Sequence, residues 1–346
     1  MKEMKFFPIK VEEIVEETPL ARSFVFAPEE RHQDKFSYRA GQFMTFRIPW
    51  KGSSIERCYS LSSSPGSGPG LKVTVKRVVG GKGSNWFNDT LKLGDLIEAS
   101  QPSGRFVCRE ISSSLRFFAG GSGITPVISI IREALTHTRQ NISLFYANKD
   151  QESVIFAKEL QSLQAQYSAR FVCNYHYDCD DGYVDMGKFE NFANHADDQF
   201  HFICGPRPFM ELAEEFLAGL GVDDRRVLIE RFTSPDDLSA VEAVTPAPLQ
   251  TSLGIATTFR VILDELAHEV NCASNQTLLE AMLEADLDPL HRCKDGHCGS
   301  CMVICSSGEV AMAKTTALSK RDKEKGYILL CQAKPLTSDV SVDCDA

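Results

Sequence analysis

Four cysteines constrain this chain more than any other feature: Cys293, Cys298, Cys301 and Cys331. The first three stand as Cys293-Lys-Asp-Gly-His-Cys298-Gly-Ser-Cys301, a C-x4-C-x2-C run, and the fourth lies far downstream. A fold that uses all four must wrap one tight loop around a common centre and bring a distant segment up to close it. Thiolates are soft ligands suited to iron in a tetrahedral sulfur site. Gly296 and Gly299 let the backbone bend between the ligands and turn N–H groups toward the sulfurs. Such contacts, with local exposure, tune a redox potential.

This is the ligand spacing of plant-type [2Fe–2S] centres. Zinc, a Cys298–Cys301 dithiol, or four buried structural cysteines use the same residue types. Zinc sites, however, usually pair two close C-x2–4-C knuckles, and a dithiol leaves Cys293 unexplained. Cys305 reads as a packed neighbour, Cys272 and Cys344 as inert. The chain holds 12 cysteines in 346 residues, and Met1 to Lys10 has no apolar signal core. A cytoplasmic location and metal or redox duty are therefore expected rather than disulfides. No apolar run approaches the ~20 residues that span a bilayer. A net charge of −10 makes nucleic acid and anionic membrane poor partners and favours a redox partner protein with a basic or neutral face.

The length allows two or three domains, and the chain changes rhythm twice. Up to about residue 110 it holds short β-branched and aromatic stretches (10–15, 23–27, 42–48, 71–79) separated by turn-formers, as in an antiparallel barrel or sandwich. From 115 onward, apolar strands alternate with helical patterns: 115–119 then 127–135, 142–147 then 154–163, 170–175, 200–204 then 209–220, and 227–229. That alternation predicts a parallel sheet covered on both faces. Residues 234–252, rich in Ser, Ala, Pro and acid, read as a linker. The expected domains are 1–110, 111–233 and 253–346. The last part begins with an alternating stretch (258–263), carries one helix (276–284), and holds 14 Asp and Glu against 9 Lys and Arg.

Two segments of the first domain suit a flavin. Arg57-Cys58-Tyr59-Ser60 is read as following a strand; a guanidinium there can meet a phosphate, the Tyr ring can lie against an isoalloxazine, and the Ser hydroxyl can reach its N5 edge. Lys76 and Arg77 precede Gly80-Gly81-Lys82-Gly83-Ser84 and a helix expected over 85–91. Its start presents free N–H groups to an anion, and Ser84 can cap it or donate to pyrophosphate. This is no P-loop, because Gly83 follows Lys82. Each segment alone also fits an ordinary hairpin.

Two segments of the second domain suit a nicotinamide dinucleotide. Gly120-Gly121-Ser122-Gly123-Ile124-Thr125-Pro126 follows the 115–119 strand, where glycines let the backbone approach pyrophosphate and Pro126 suits the first helical turn. Cys204-Gly205-Pro206 closes a later strand and is expected beside it. The alternative for each is a glycine turn required by geometry alone. Asn148-Lys149-Asp150, at the end of the 142–147 strand, leaves NADH or NADPH open: Lys149 can meet a 2′-phosphate, and Asp150 opposes one.

Taken in order, these motifs resemble the ferredoxin–NADP reductase superfamily, in the oxygenase-reductase branch that ends in a plant-type ferredoxin domain. The domain order is similar to that of the reductases of phenylacetyl-CoA epoxidase, 3-ketosteroid 9α-hydroxylase and hybrid-cluster protein. The resemblance covers nearly the whole chain. It implies an antiparallel six-stranded flavin-binding β-barrel, a parallel five-stranded α/β nucleotide-binding domain and a C-terminal β-grasp ferredoxin domain. It assigns flavin contacts to Arg57, Cys58, Tyr59, Ser60, Lys76, Arg77, Gly83 and Ser84. Nicotinamide contacts fall to Gly120, Gly121, Gly123, Thr125, Pro126, Cys204, Gly205 and Pro206. Glu230 and Phe232 match its Glu-x-Phe, with the aromatic near the flavin, and Ser60, Thr125 and Cys204 flank the hydride-transfer position. Cys293, Cys298, Cys301 and Cys331 hold the cluster. FAD is implied, although some relatives of this organisation use FMN.

The expected activity is that of an NAD(P)H-dependent oxidoreductase. It would pass single electrons through FAD and a [2Fe–2S] cluster to the terminal component of a Rieske or di-iron oxygenase. Two alternatives are an NADH oxidoreductase for a hybrid-cluster or other redox protein, and, from another class, a non-catalytic iron–sulfur sensor or scaffold.

Overall fold

The computed structural model describes residues 5–66, 70–108, 113–193, 199–232, 254–291, 294–296, 299–315, 317–318 and 320–345. The stretch expected to be a linker, 234–252, lies outside them, as do Cys293 and Cys298. Two compact units divide the chain, Met4–Phe232 and the part from Thr233 to Ala346.

The first unit opens with six antiparallel strands: β1 (Phe6–Thr18), β2 (Ala21–Pro28), β3 (Phe43–Trp50), β4 (Ser53–Ser60), β5 (Leu71–Lys76) and β6 (Leu96–Ser100). They pair in the order β4-β3-β6-β1-β2-β5. A bridge between Leu61 and Val73 ties the two edges together. Alternating inward residues fill the interior: Phe24 and Phe46 of the strands meet Phe87 of helix α1 (Lys82–Asp89), and Phe26 packs between Phe24 and Phe46. Arg57-Cys58-Tyr59-Ser60 lies within β4 rather than after a strand. Helix α1 starts three residues before the expected 85. Gly80 turns the chain at φ +72° and Gly81 takes the cap position. Ser84 therefore sits in the first turn and is not the cap; its Oγ accepts the Val78 N–H at 3.2 Å.

A parallel sheet follows: β7 (Leu115–Gly120), β8 (Ile142–Asn148), β9 (Phe171–Tyr177), β10 (Phe200–Cys204) and β11 (Val227–Glu230), in the order β11-β10-β7-β8-β9. Helices α2 (Ile124–His137), α3 (Ala157–Gln166), α4 (Asp178–Asp181), α5 (Met186–Phe192) and α6 (Arg207–Gly219) accompany it. Alternation along each strand feeds two cores. Phe117, Phe202 and Cys204 pack in the cluster of α2, whereas Phe118 and Ile203 pack in the cluster of α5 and α6. Helix α3 begins later than the expected 154 because Phe156, just before it, is buried in the left-handed region at φ +63°. From β7 the chain runs outward through β8 and β9, then returns to place β10 on the other side. Open α/β sheets bind ligands at that reversal.

In the second unit, β12 (Thr257–Leu263), β13 (Leu266–Cys272), β14 (Met302–Ser307), β16 (Tyr327–Leu329) and β18 (Ser341–Asp343) form a sheet ordered β13-β12-β18-β14-β16. Only the β12–β18 pair is parallel. Strands β15 (Val310–Met312) and β17 (Ala333–Pro335) pair separately, and α8 (Lys320–Glu324) precedes β16. Helix α7 (Leu278–Glu284) buries Leu278, Leu279 and Met282 in the core of this sheet. A capping box opens it: the Thr277 Oγ accepts the Glu280 N–H at 3.3 Å, and the Glu280 carboxylate accepts the Thr277 N–H at 2.8 Å. Thr277 thereby fixes the start of the helix. A helix laid on a mixed sheet of this order is the β-grasp arrangement.

Candidate functional site

On β4, residues two apart share a face. Arg57 and Tyr59 point the same way, and the start of α1 rests on them. A Cβ at Gly83 would lie 2.6 Å from the Arg57 Cγ and 3.0 Å from the Tyr59 hydroxyl. Only glycine leaves that cradle open. The Tyr59 ring meets Phe87 edge-on at 4.8 Å, and burial pushes its hydroxyl well above the usual tyrosine range. Cys58 faces the other way, its Sγ 3.2 Å from the Thr45 Oγ1. Ser60 closes the strand, buried. Among the described residues no side chain caps α1, and Gly83 brings its first turn against Arg57 and Tyr59, a set that fits a flavin phosphate and ring. Arg77 turns to the far end of α1, where it pairs with Asp89 at 2.6 Å.

Gly83→Ala is expected to push the flexible Arg57 stem aside. Flavin retention should weaken roughly tenfold, equivalent to about 1.4 kcal/mol of binding lost as Arg57 is displaced. Flavin fluorescence released on dilution measures this, and wild-type retention would show that the cradle does not hold the flavin.

The loops after β7 and β10 are adjacent because their strands pair, Ala119 opposite Cys204. Their backbones touch. A Cβ at Gly123 would stand 2.1 Å from the Cys204 carbonyl oxygen, and one at Gly120 would stand 2.7 Å from the Pro206 ring. A Cβ at Gly205 would lie 3.0 Å from the Gly120 nitrogen. The Thr125 Oγ1 donates to the Ser122 carbonyl at 3.1 Å, and Pro126 is buried in the first turn of α2. Cys204 is fully buried; burial and the Glu230 charge push its thiol well above the ordinary range, so it is protonated at neutral pH. Glu230 pairs with Cys204 across β10 and β11. Phe232, just beyond, is 41% exposed. Between them Arg231 makes a bidentate pair with the buried Glu214 at 2.9 and 3.0 Å.

Lys76 belongs to the barrel, yet its amine reaches the nucleotide loop, 3.5 Å from where a Gly121 Cβ would be. Burial holds this amine below the usual lysine range, Asp150 opposes that shift, and Lys149 adds to it. Gly121 has φ +52°, and its carbonyl accepts a hydrogen bond from the Tyr146 hydroxyl at 3.1 Å.

Tyr146 is a support that sequence reading missed, as are Ser129 and Arg132 of α2. Ser129 donates to the Ser63 carbonyl at 2.5 Å, and Arg132 donates to the Ser62 carbonyl while paired with Glu159. The available signal was two polar residues three apart, hence on one face, with Ser129 breaking the apolar run Val127–Ile131.

In the second unit, two of the four candidate ligands are described. Cys301 is 2% and Cys331 6% exposed, and the Leu330 N–H donates to the Cys301 carbonyl at 3.0 Å. Gly296 and Gly299 both take positive φ, +75° and +68°. Two buried thiols beside a glycine-bent loop fit soft-metal binding. Among the described residues no helix is long and apolar enough to cross a membrane.

Three family models match the chain in order. They are an oxidoreductase FAD-binding domain over residues 8–108, an oxidoreductase NAD-binding domain over 117–215, and a 2Fe-2S iron-sulfur cluster binding domain over 261–336. The chain is 39% identical over 339 residues to the ferredoxin reductase component of 3-ketosteroid-9-alpha-monooxygenase from Rhodococcus rhodochrous, covering 97% of this chain and 96% of that one. It is 31% identical over 358 residues to a subunit of 1,2-phenylacetyl-CoA epoxidase from Escherichia coli, covering 99% and 98%. The solved structure of phthalate dioxygenase reductase shares the fold over 98% of both chains, with a TM-score of 0.61 at 24% identity.

Proposed function

Because the chain belongs to the ferredoxin–NADP reductase superfamily, in the branch that ends in a plant-type ferredoxin domain, we propose that it is the reductase component of a multicomponent oxygenase. It takes hydride from a nicotinamide dinucleotide and delivers single electrons to a Rieske or di-iron terminal oxygenase in the cytoplasm. The observation that carries this reading is the order of the three modules along one chain. The domains are 1–110, 111–233 and 253–346, with 234–252 joining the last two. Bound FAD supplies the exchange between a two-electron donor and a one-electron cluster.

The residues then divide the work. Arg57 and the backbone at the start of α1, next to Gly83, hold flavin phosphate, and Tyr59 supports the ring. Gly120, Gly121, Gly123, Gly205 and Pro206 keep the backbone low so that pyrophosphate can approach. Ser60, Thr125 and Cys204 orient the nicotinamide, and as a neutral thiol Cys204 brings no charge to that position. Glu230 and Phe232 complete this side, while Cys293, Cys298, Cys301 and Cys331 hold the cluster. At the end of β8, the Asp150 carboxylate caps the 151–153 turn by accepting the Ser153 N–H at 2.9 Å. A carboxylate there opposes a 2′-phosphate, which favours NADH.

An anaerobic visible titration with NADH and then NADPH, followed by EPR of the reduced protein, tests the proposal. NADH is expected to bleach flavin and cluster bands and to yield a rhombic iron–sulfur signal. Flavin bleaching without that signal, in protein with full iron content, would refute the route through the cluster.

A further inference from the structure

The cluster loop is tied down by a side chain that no motif includes. Gln332 follows Cys331, and its backbone is fixed in the turn after β16, where its N–H donates to the Leu329 carbonyl at 2.9 Å. Its side-chain Nε2 lies 3.0 Å from the Cys331 carbonyl oxygen, 3.5 Å from the Lys294 carbonyl oxygen and 3.7 Å from the Cys331 Sγ. All three neighbours are acceptors, so the amide must present nitrogen and not oxygen to them. The bond to Cys331 uses one hydrogen and leaves the other between Lys294 and the sulfur.

The aliphatic stem does a second job. Gly296, at φ +75°, lies on it: a Cβ there would be 3.0 Å from the Gln332 Cγ, 3.0 Å from the Lys314 Cβ and 3.2 Å from the Lys314 carbonyl oxygen. Lys314 also pairs with Asp295, and the Ala317 N–H donates to the Gly296 carbonyl at 3.3 Å. Residues 294–296, between the first two cysteines of the C-x4-C-x2-C run, are thus clamped against the segment that carries the fourth.

We propose that Gln332 is a positioning residue of the iron–sulfur site, strapping the ligand loop to the Cys331 segment and donating a hydrogen bond to the Cys331 sulfur that raises the reduction potential of the cluster. The inference rests on the reading of Cys331 as a cluster ligand. A donor to a ligand sulfur stabilises the more negative, reduced state, so its removal makes the cluster harder to reduce. The strap also slows loss of metal, because the loop cannot peel away without breaking the contact to Lys294.

The test is an EPR-monitored potentiometric titration of the full-length protein, with iron and sulfide quantified, for wild type, Gln332→Met and Gln332→Glu. Gln332→Met keeps the stem and removes the donor; Gln332→Glu keeps length and shape and offers oxygen in place of nitrogen. Expected are a midpoint potential shifted negative in Gln332→Met and further negative in Gln332→Glu, with altered g values. Release of iron to a chelator should be roughly tenfold faster in both. Both variants titrating at the wild-type midpoint with wild-type g values would overturn the role of Gln332. A wild-type protein with no [2Fe–2S] signal would overturn the ligand reading itself, so the two failures are distinguishable.

Discussion

Cys301→Ser is expected to abolish electron delivery to the oxygenase partner while NADH-driven reduction of ferricyanide, a small acceptor that needs no cluster, continues at the wild-type rate. Cys301 is 2% exposed just before β14, and its carbonyl is pinned by the Leu330 N–H. A serine oxygen there is a harder donor than the thiolate and a poor match for iron in a sulfur site. The two-acceptor assay separates the halves of the route, and the reduced-state EPR signal should disappear with partner reduction. A variant that reduces the partner at the wild-type rate would show that electrons leave without passing the cluster.

Gly123→Ala should be the most damaging small substitution in the nucleotide-binding domain. The backbone at Gly123 is ordinary, φ −61° and ψ −12°, so alanine meets no conformational penalty there. The whole cost is contact: the new Cβ would lie 2.1 Å from the Cys204 carbonyl oxygen and 2.8 Å from the Gly205 nitrogen. Both are main-chain atoms of a strand end that cannot swing away. The β7 and β10 loops must separate, at a cost of about 3 kcal/mol. Thermal unfolding should show the loss, and steady-state kinetics should show a raised KM for NADH. Wild-type values of both would mean that the loops part freely.

Much of this architecture was readable because local chemistry and fold agree. The β10 strand has the bounds its largely apolar run predicts, 200–204, since Phe202, Ile203 and Cys204 are buried on its two faces and even the polar His201 is fully enclosed. The glycines of the two loops could be placed because each follows an apolar run directly. Elsewhere the signal was overridden. Strand β4 was hidden because its Ser53-Ser54-Ile55-Glu56 start is polar and largely exposed, and lacks the alternation of a half-buried strand. Val154-Ile155-Phe156 looks like the opening of a helix, yet the three residues are buried before α3 begins and Phe156 takes a left-handed turn. Tyr146, Ser129, Arg132 and Gln332 act on backbone carbonyls. The partners of the first three lie 25 to 70 residues away. Carbonyls carry no sequence label, so no motif could reveal these pairs.

The contact of α2 with the barrel has a bearing on how such chains are rearranged. Ser129 and Arg132 grip the main-chain oxygens of Ser63 and Ser62, not their side chains. On the barrel side the joint therefore asks for a backbone path and is nearly blind to which amino acids trace it. A foreign barrel grafted ahead of residue 113 would be accepted if its chain followed that path at 62–63, whatever its sequence there. A foreign nucleotide-binding domain without a hydroxyl and a guanidinium three residues apart on its first helix would dock without its latch. At this latch compatibility is written on α2 alone, whereas the packing beside it, where Phe106 meets Phe202, asks for matched side chains from both halves.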